Sequence, residues 1–342
     1  MKVKTAVVLL NLGGPDRAEA VAPYLRNLFS DPAIIRLPAI LRLPIARLIA
    51  DRRAPYARDE IFGKLGGASP LLAQTMAQSE ALSQALADRQ TAIFIAMRYW
   101  HPRAKAVCKE VVAASPERVV LLPLYPQFST ATTASSIAEF ERELSAAGFG
   151  GRIDRICCYP IAGGWIDALA RNIAPLLTAA RAQGAPRLLF SAHGLPLSVV
   201  RSGDPYVWQV QQTALATVLA LGRDAVDWSI CYQSRVGPLK WTGPSIDEEI
   251  ARAAANKRAI VIAPIAFVSE HSETLVELDI KYRDIAIASG VPAYYRASTV
   301  GIAAPFIETL ARLVHQATNS APQAYCNRRI CPRDFSACPN RA

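Results

Sequence analysis

A chain of 342 residues with 38 Lys and Arg against 28 Asp and Glu carries a net charge of +10; 51% of it is hydrophobic and 19% charged. That balance excludes disorder for the bulk of the chain, and the length suffices for a substantial core in more than one domain. The first segment reaches polar Asn11 too early for a signal peptide, and the uncharged stretch 119–138 holds Pro123, Pro126 and many Ser and Thr, so no spanning helix is expected. Seven cysteines without an export signal point to reduced thiols or metal ligands rather than disulfides.

In chain order, apolar β-branched runs predict buried strands at 5–11, 91–98, 118–125 and 152–158, then at 187–192, 227–232, 258–266 and 292–297. Helical periodicity fills the intervals 71–89, 137–147, 166–183, 206–221, 246–256 and 303–317. Continuous apolar strands alternating with helices imply parallel sheets covered on both faces. The two strand sets follow one plan, and the third strand of each breaks at a proline, in VVLLPLYPQFS (119–129) and AIVIAPIAFVS (259–269). The expected fold is therefore α/β, with two doubly wound Rossmann-like domains at 1–165 and 166–320 and a cysteine-rich tail at 321–342. The final helix is expected to cross back, and ligands should bind beyond the carboxyl ends of the strands.

The first half carries an insertion at about 22–67, whose stretch 33–50 reads AIIRLPAILRLPIARLIA. Pro38 and Pro44 should break a buried helix there. The arginines alternate with Leu, Ile and Pro rather than with aromatics or Gly, which suits a membrane surface or an anionic apolar ligand better than nucleic acid.

Two loops after strands carry the chemistry. SAHGLP (191–196) holds His193 in a rigid turn, and SEHSETLVELD (269–279) follows the third strand of the second half. Glu270, Glu273 and Glu277 are spaced by three and four, so an α-helix would place them on one face, with Glu277 readable as a solvated position. An imidazole and a carboxylate converging at one crevice can bind a divalent metal or move protons.

The motifs FSAHGLPLSVVRSGDPY (190–206), CYQSRVGPLKWTGPSIDEEI (231–250) and APIAFVSEHSETLVELDIKY (263–282) resemble ferrochelatase, as do VVLLNLGGPD (7–16), MRYWHP (97–102) and LYPQFSTATTASS (124–136). The resemblance runs in consistent order from residue 5 to about 320. It implies two Rossmann-like domains around a porphyrin cleft and insertion of Fe²⁺ into protoporphyrin or a close relative, the terminal metallation of haem biosynthesis. It also implies that His193 and Glu273 serve iron binding and pyrrole deprotonation. Arg53, Ser69, Arg98, Tyr99 and Trp241 match porphyrin-cleft positions, and the insertion matches the active-site lip. The chain departs from animal members at Phe62, where they have a cleft tyrosine, and at Lys281, where they continue an acidic row.

Cys326, Cys331 and Cys338 stand in an Arg-rich tail with little to pack, so zinc or an iron–sulfur cluster is expected there, with a fourth ligand from elsewhere. Cys108 and Cys231 read as structural, and adjacent Cys157 and Cys158 should face opposite sides of a strand end. By the resemblance the group is a [2Fe–2S] cluster. The internal ligand of the animal enzymes falls at Thr130 here, so the fourth ligand is taken as Cys158, with Cys157 the alternative. A cytoplasmic enzyme with peripheral membrane contact is expected. The competing readings are a chelatase for cobalt or nickel, and a non-enzymatic haem- or cluster-sensing protein.

Overall fold

A computed structural model describes residues 3–222, 227–235, 239–319 and 328–340. They fall into two compact units, one within Met1–Cys158 and Leu310–Arg329 and the other within Tyr159–Thr309 and Ile330–Arg341.

In the first unit β1 (Thr5–Asn11), β2 (Thr91–Met97), β3 (Arg118–Pro123) and β4 (Arg152–Arg155) form a parallel sheet in the order β2-β1-β3-β4. The connection from β1 to β2 holds α1 (Val21–Phe29), α2 (Ala39–Tyr56) and α3 (Leu71–Leu86), and α4 (Ala104–Ala113) and α5 (Ser135–Ala146) follow β2 and β3. Val8, Leu10, Val119 and Leu121 of the sheet pack with Val107 and Val111 of α4 and Phe140 and Leu144 of α5, a fully apolar layer. At about 25 cal/mol per Å² such burial supplies the main folding drive.

The second unit repeats the plan with β5 (Arg187–His193), β6 (Asp227–Gln233), β7 (Ile260–Pro264) and β8 (Tyr294–Arg296), in the order β6-β5-β7-β8 and again all parallel. Its helices are α6 (Gly163–Arg181), α7 (Leu197–Arg201), α8 (Tyr206–Ala220), α9 (Ile246–Ala255), α10 (Arg283–Ala288) and the start of α11 (Ala304–Asn319), whose later residues belong to the first unit. The third strands end at Pro123 and Pro264, paired with Leu10 and Ser191, whose carbonyls accept the N–H of the next residue, Leu124 and Ile265, at 2.9 and 3.0 Å.

Three local expectations are corrected. First, α2 runs through Pro44 and Pro55, with Pro38 at its N-cap. A cap needs no N–H, and Pro44 removes only the bond to the carbonyl of Ile40, a residue 83% exposed, where water can take its place. Second, β4 stops at Arg155, so Cys157 and Cys158 do not face opposite sides of a strand; both are buried in one cluster with Phe128. Third, the segment after β7 is no α-helix but a π-helix, Glu273–Tyr282, and Glu270 lies in the loop before it. Cys108 and Cys231 are buried core thiols, as the sequence indicates, and burial pushes the Cys108 thiol up to about 12.

The insertion is anchored at its base. Tyr24, Leu25, Ala50, Ala57 and Phe62 pack with Tyr99 and Trp100, and Phe62 meets Tyr24 edge-on at 6.5 Å. Its outer side leaves Ile40, Leu41, Leu43 and Leu48 exposed. Among the described residues no helix is long and apolar enough to cross a membrane.

Candidate active site

His193 is the last residue of β5, paired in register with Gln233 at the end of β6. The next residue, Gly194, donates its N–H to the Gln233 carbonyl at 2.9 Å, and a Cβ there would approach that oxygen to 3.0 Å and the Trp241 ring to 3.4 Å. The turn thus needs glycine to lie so close to the neighbouring strand. The His193 Nδ1 lies 2.7 Å from the Gly194 carbonyl, which can only accept, so that nitrogen carries the proton. The other nitrogen, Nε2, then presents its lone pair 3.9 Å from the Glu273 Oε2, with the imidazole 40% exposed. The buried Tyr206 hydroxyl, at the start of α8, meets the His193 main chain from behind.

Glu273 opens the π-helix, a geometry concentrated at functional sites. The Gln233 amide donates to the Glu273 carbonyl at 3.1 Å and to the Glu277 Oε2 at 3.3 Å, while its own oxygen accepts from the Ser191 hydroxyl at 2.6 Å. The Ser234 hydroxyl donates to the Glu277 Oε2 at 3.0 Å and lies 3.5 Å from the Glu273 Oε2. Ser234 holds φ of +60°, a left-handed conformation that a non-glycine residue keeps only when its surroundings enforce it. Burial and then the Glu273 carboxylate push the Glu277 carboxyl up to about 7, against the Ser234 hydroxyl, which lowers it. Glu277 is therefore no solvated helix face. Burial holds His271 below its ordinary value, and its ring lies 4.4 Å from that of Phe267.

Sequence reasoning singled out His193 and Glu273 and missed Ser191, Gln233, Ser234 and Tyr206. Gln233 ends β6 and Ser234 follows it, where ligands bind in such folds, which is the one signal that could have drawn notice.

Trp241 is half-buried beside the His193 loop, held by the Thr242 N–H on the Leu195 carbonyl at 2.9 Å and the Leu197 N–H on the Lys240 carbonyl at 2.8 Å. In the first unit, Arg53 on α2 stacks over the Phe29 ring at 5.8 Å, and the Ser69 main chain bonds to the Pro15 carbonyl at 2.8 Å. Arg98 and Tyr99 converge on buried Asp31, whose Oδ2 accepts from the Arg98 Nη2 at 2.7 Å, the Tyr99 hydroxyl at 2.7 Å and the Ser135 hydroxyl at 2.5 Å. Arg98 also pairs with Glu139 at 2.9 Å.

Cys331 and Cys338 are buried in the second unit, and the Gln209 amide of α8 donates to the Cys331 Sγ at 3.0 Å. Cys158 lies in the first unit with Cys157 and Phe128. Cys326 is outside the described residues. Among the described residues no cluster of three or more His, Cys, Asp or Glu is arranged to hold an ion.

A structure of the chelatase SirB from Bacillus subtilis with Fe³⁺ resembles the chain with a TM-score of 0.57 at 13% identity, covering 95% of this chain and all of that one. At that identity the likeness speaks for the fold. Sequence relatives say more: a ferrochelatase of Phenylobacterium zucineum is 50% identical over 99% of this chain and 98% of its own length, and one of Caulobacter vibrioides is 48% identical over 100% and 99%. A ferrochelatase of Pelagibacter ubique is 45% identical over 98% of both. The ferrochelatase family model matches residues 4–318. The chain thus belongs to the ferrochelatase family, enzymes that insert ferrous iron into a porphyrin.

Proposed function

We propose that His193 and Glu273 carry the metal insertion, and the observation behind this is the His193 Nε2 lone pair facing the Glu273 carboxylate across 3.9 Å. The reaction exchanges two pyrrole N–H protons for Fe²⁺. A neutral Nε2 accepts one proton, and the Glu273 and Glu277 carboxylates, linked by the Ser234 hydroxyl, take protons onward. While Nε2 is unprotonated, it and the Glu273 carboxylate can hold the substrate iron as two protein ligands, leaving open positions that the pyrrole nitrogens fill; Nε2 takes its proton only after the iron has passed to the macrocycle. A site with more ligands would retain the ion it has to deliver. Burial and the Glu273 carboxylate raise the Glu277 carboxyl to about 7, matched to accepting and releasing protons near neutrality.

Arg53 is suited to a propionate and Trp241 to the macrocycle face, with Ser69 at the lip base. Arg98 and Tyr99 contribute to porphyrin binding by bracing, through Asp31, the start of the lip. Protoporphyrin IX or a close relative is the substrate, and the reading as a cobalt or nickel chelatase is not favoured by full-length relatives named ferrochelatase. Anaerobic Fe²⁺ insertion followed by absorbance tests the site: Glu273→Gln keeps the shape, loses the charge and should abolish turnover. Turnover at the wild-type rate would remove Glu273 from the mechanism.

The tail cysteines are proposed to hold a [2Fe–2S] cluster through Cys326, Cys331, Cys338 and Cys158, with Cys157 the alternative fourth ligand. What supports this reading is the amide donor on the Cys331 sulfur, since it suits a thiolate and such bonds tune cluster sulfurs. When bound, such a cluster supplies one-electron redox capacity and a covalent tie for the tail. Purified protein should be red-brown with about two irons per chain; colourless protein with stoichiometric zinc would refute the cluster.

The exposed apolar side of the lip and its arginines support peripheral contact of a cytoplasmic enzyme with anionic lipid. Arg42 instead donates to the Ser30 and Leu37 carbonyls, so the vesicle test belongs on exposed Arg47 and Arg52. Arg47→Glu with Arg52→Glu should weaken binding to anionic vesicles.

A further inference from the structure

A π-helix leaves its backbone in a rarely adopted i→i+5 pattern, so the surrounding structure has to hold it. Strand β8 does so from one side. The Tyr294 hydroxyl donates to the carbonyl of Leu278 at 2.8 Å. Two residues on, and therefore on the same face of the strand, Arg296 closes β8 with a guanidinium only 11% exposed. Its Nε and Nη2 donate to the two oxygens of Asp279 at 2.7 and 2.5 Å, and its Nη1 donates to the Glu270 Oε1 at 2.6 Å. The same Glu270 oxygen accepts the Thr299 N–H at 2.9 Å.

Glu270 precedes the π-helix and Asp279 lies inside it, so one fixed fork spans the turn that carries Glu273 and Glu277. Asp279 and Glu270 are held by Arg296, while Glu273 and Glu277 are engaged by Gln233 and Ser234. A slip of the helix by one residue would break the bidentate pair and turn the Glu273 carboxylate away from His193.

We propose that Arg296 is a positioning residue for metal insertion: by gripping Asp279 and Glu270 together, it fixes the rotation of the π-helix at which Glu273 faces His193. The inference rests on the reading that Glu273 acts in the reaction. The planar, always charged fork is what the task needs. A lysine ammonium at the same place meets one carboxylate as a point charge and leaves the other loose. Displacing a reacting group by about 1 Å can reduce a rate about 10²-fold.

The test compares Arg296→Lys, Arg296→Gln and Glu273→Gln in the full-length enzyme, with Fe²⁺ and porphyrin varied separately and the folded fraction measured by circular dichroism. Arg296→Gln should lower kcat by about 10- to 100-fold and raise the KM for Fe²⁺ several-fold, with the KM for porphyrin within about twofold of wild type. Arg296→Lys, which keeps the charge and the buried stem, should fall between. A purely structural role would remove active molecules without moving the KM for Fe²⁺. The proposal is overturned if Arg296→Lys retains kcat and the Fe²⁺ KM within twofold, or if every loss of rate matches lost folded protein. If Glu273→Gln turns over normally, the reading of Glu273 fails; if it is inactive while both Arg296 variants are normal, the clamp alone fails.

Discussion

The two sheets share one topology, and their carboxyl ends can be compared strand by strand. Asn11 ends β1 where His193 ends β5, and Met97 is paired with Asn11 as Gln233 is with His193. Pro123 and Pro264 close the third strands, and Arg155 and Arg296 close the fourth. Each third strand leads through a loop to π-helical turns, Thr130–Ala134 in one half and Glu273–Tyr282 in the other. Arg155 bonds to Glu141 on α5 as Arg296 bonds to Asp279 on the π-helix. The difference lies in what the corresponding side chains meet. Asn11 is buried, donating to the Thr75 hydroxyl at 3.0 Å and accepting the Leu12 N–H at 2.8 Å, so its polar groups are consumed by the fold. His193 spends only Nδ1 on the backbone and keeps Nε2 available. One scaffold serves twice, closed off in the first half and left chemically open in the second.

The sharpest way to break that comparison is to exchange readouts at matched positions. His193→Ala should lower turnover by about 10²–10⁴ while shifting Tm little, because the half-exposed ring builds no core. Stopped-flow absorbance and calorimetry check both halves of the statement. A large drop in Tm would make His193 structural, like its counterpart in the first sheet.

The next effect belongs to Asp31, the buried carboxylate at which Arg98, Tyr99 and Ser135 meet. Asp31→Ala leaves the buried Arg98 with Glu139 and the Ser135 hydroxyl but without its Asp31 carboxylate, and should destabilise the first unit by about 3–5 kcal/mol. The KM for porphyrin should rise with it, since Asp31 also fixes the first turn of the lip through the Ala33 N–H at 2.8 Å. Urea unfolding and the porphyrin KM measure the two consequences.

Asn11→Ala should be milder, about 1–3 kcal/mol for the Thr75 and Leu12 groups left without it, with kcat per folded molecule unchanged. A lost kcat at normal stability would show that the first sheet's end takes part in the chemistry after all.

The smallest effect depends on pH. The Glu277 carboxyl is raised above its ordinary value in the folded protein, so folding takes up a proton and this group destabilises the fold increasingly as pH rises from about 4.5 toward 7. Glu277→Gln removes that penalty. Its Tm should match wild type near pH 4.5 and exceed it by about 2–4 °C at pH 8, the change expected for roughly 1 kcal/mol. An equal or lower Tm at pH 8 would place the carboxyl in its ordinary range.

The sequence alone determined the strands and the duplication, and it pointed to two loops. Continuous apolar β-branched runs leave few alternatives to buried parallel strands, and a His and a Glu just past two of them stand where such sheets bind ligands. The 33–50 segment was legible as an Arg–aliphatic stretch, although not as the helix it forms: whether a proline breaks a helix depends on whether water can satisfy the carbonyl it frees. Only the tertiary structure decided the rest. Ser234 adopts a left-handed conformation without being Gly or Asn, because the hydrogen bonds to Glu273 and Glu277 hold it there. Spacings of three and four put Glu270, Glu273 and Glu277 on one α-helical face, whereas Glu270 lies before the π-helix and is taken by the Arg296 fork. Arg98 and Tyr99 carry no local mark of their shared partner Asp31, which lies far away in sequence. Strand and helix identity is set by periodicities a few residues long and can be read locally. Side-chain direction at the ends of those elements is set by partners brought near only when the sheets assemble.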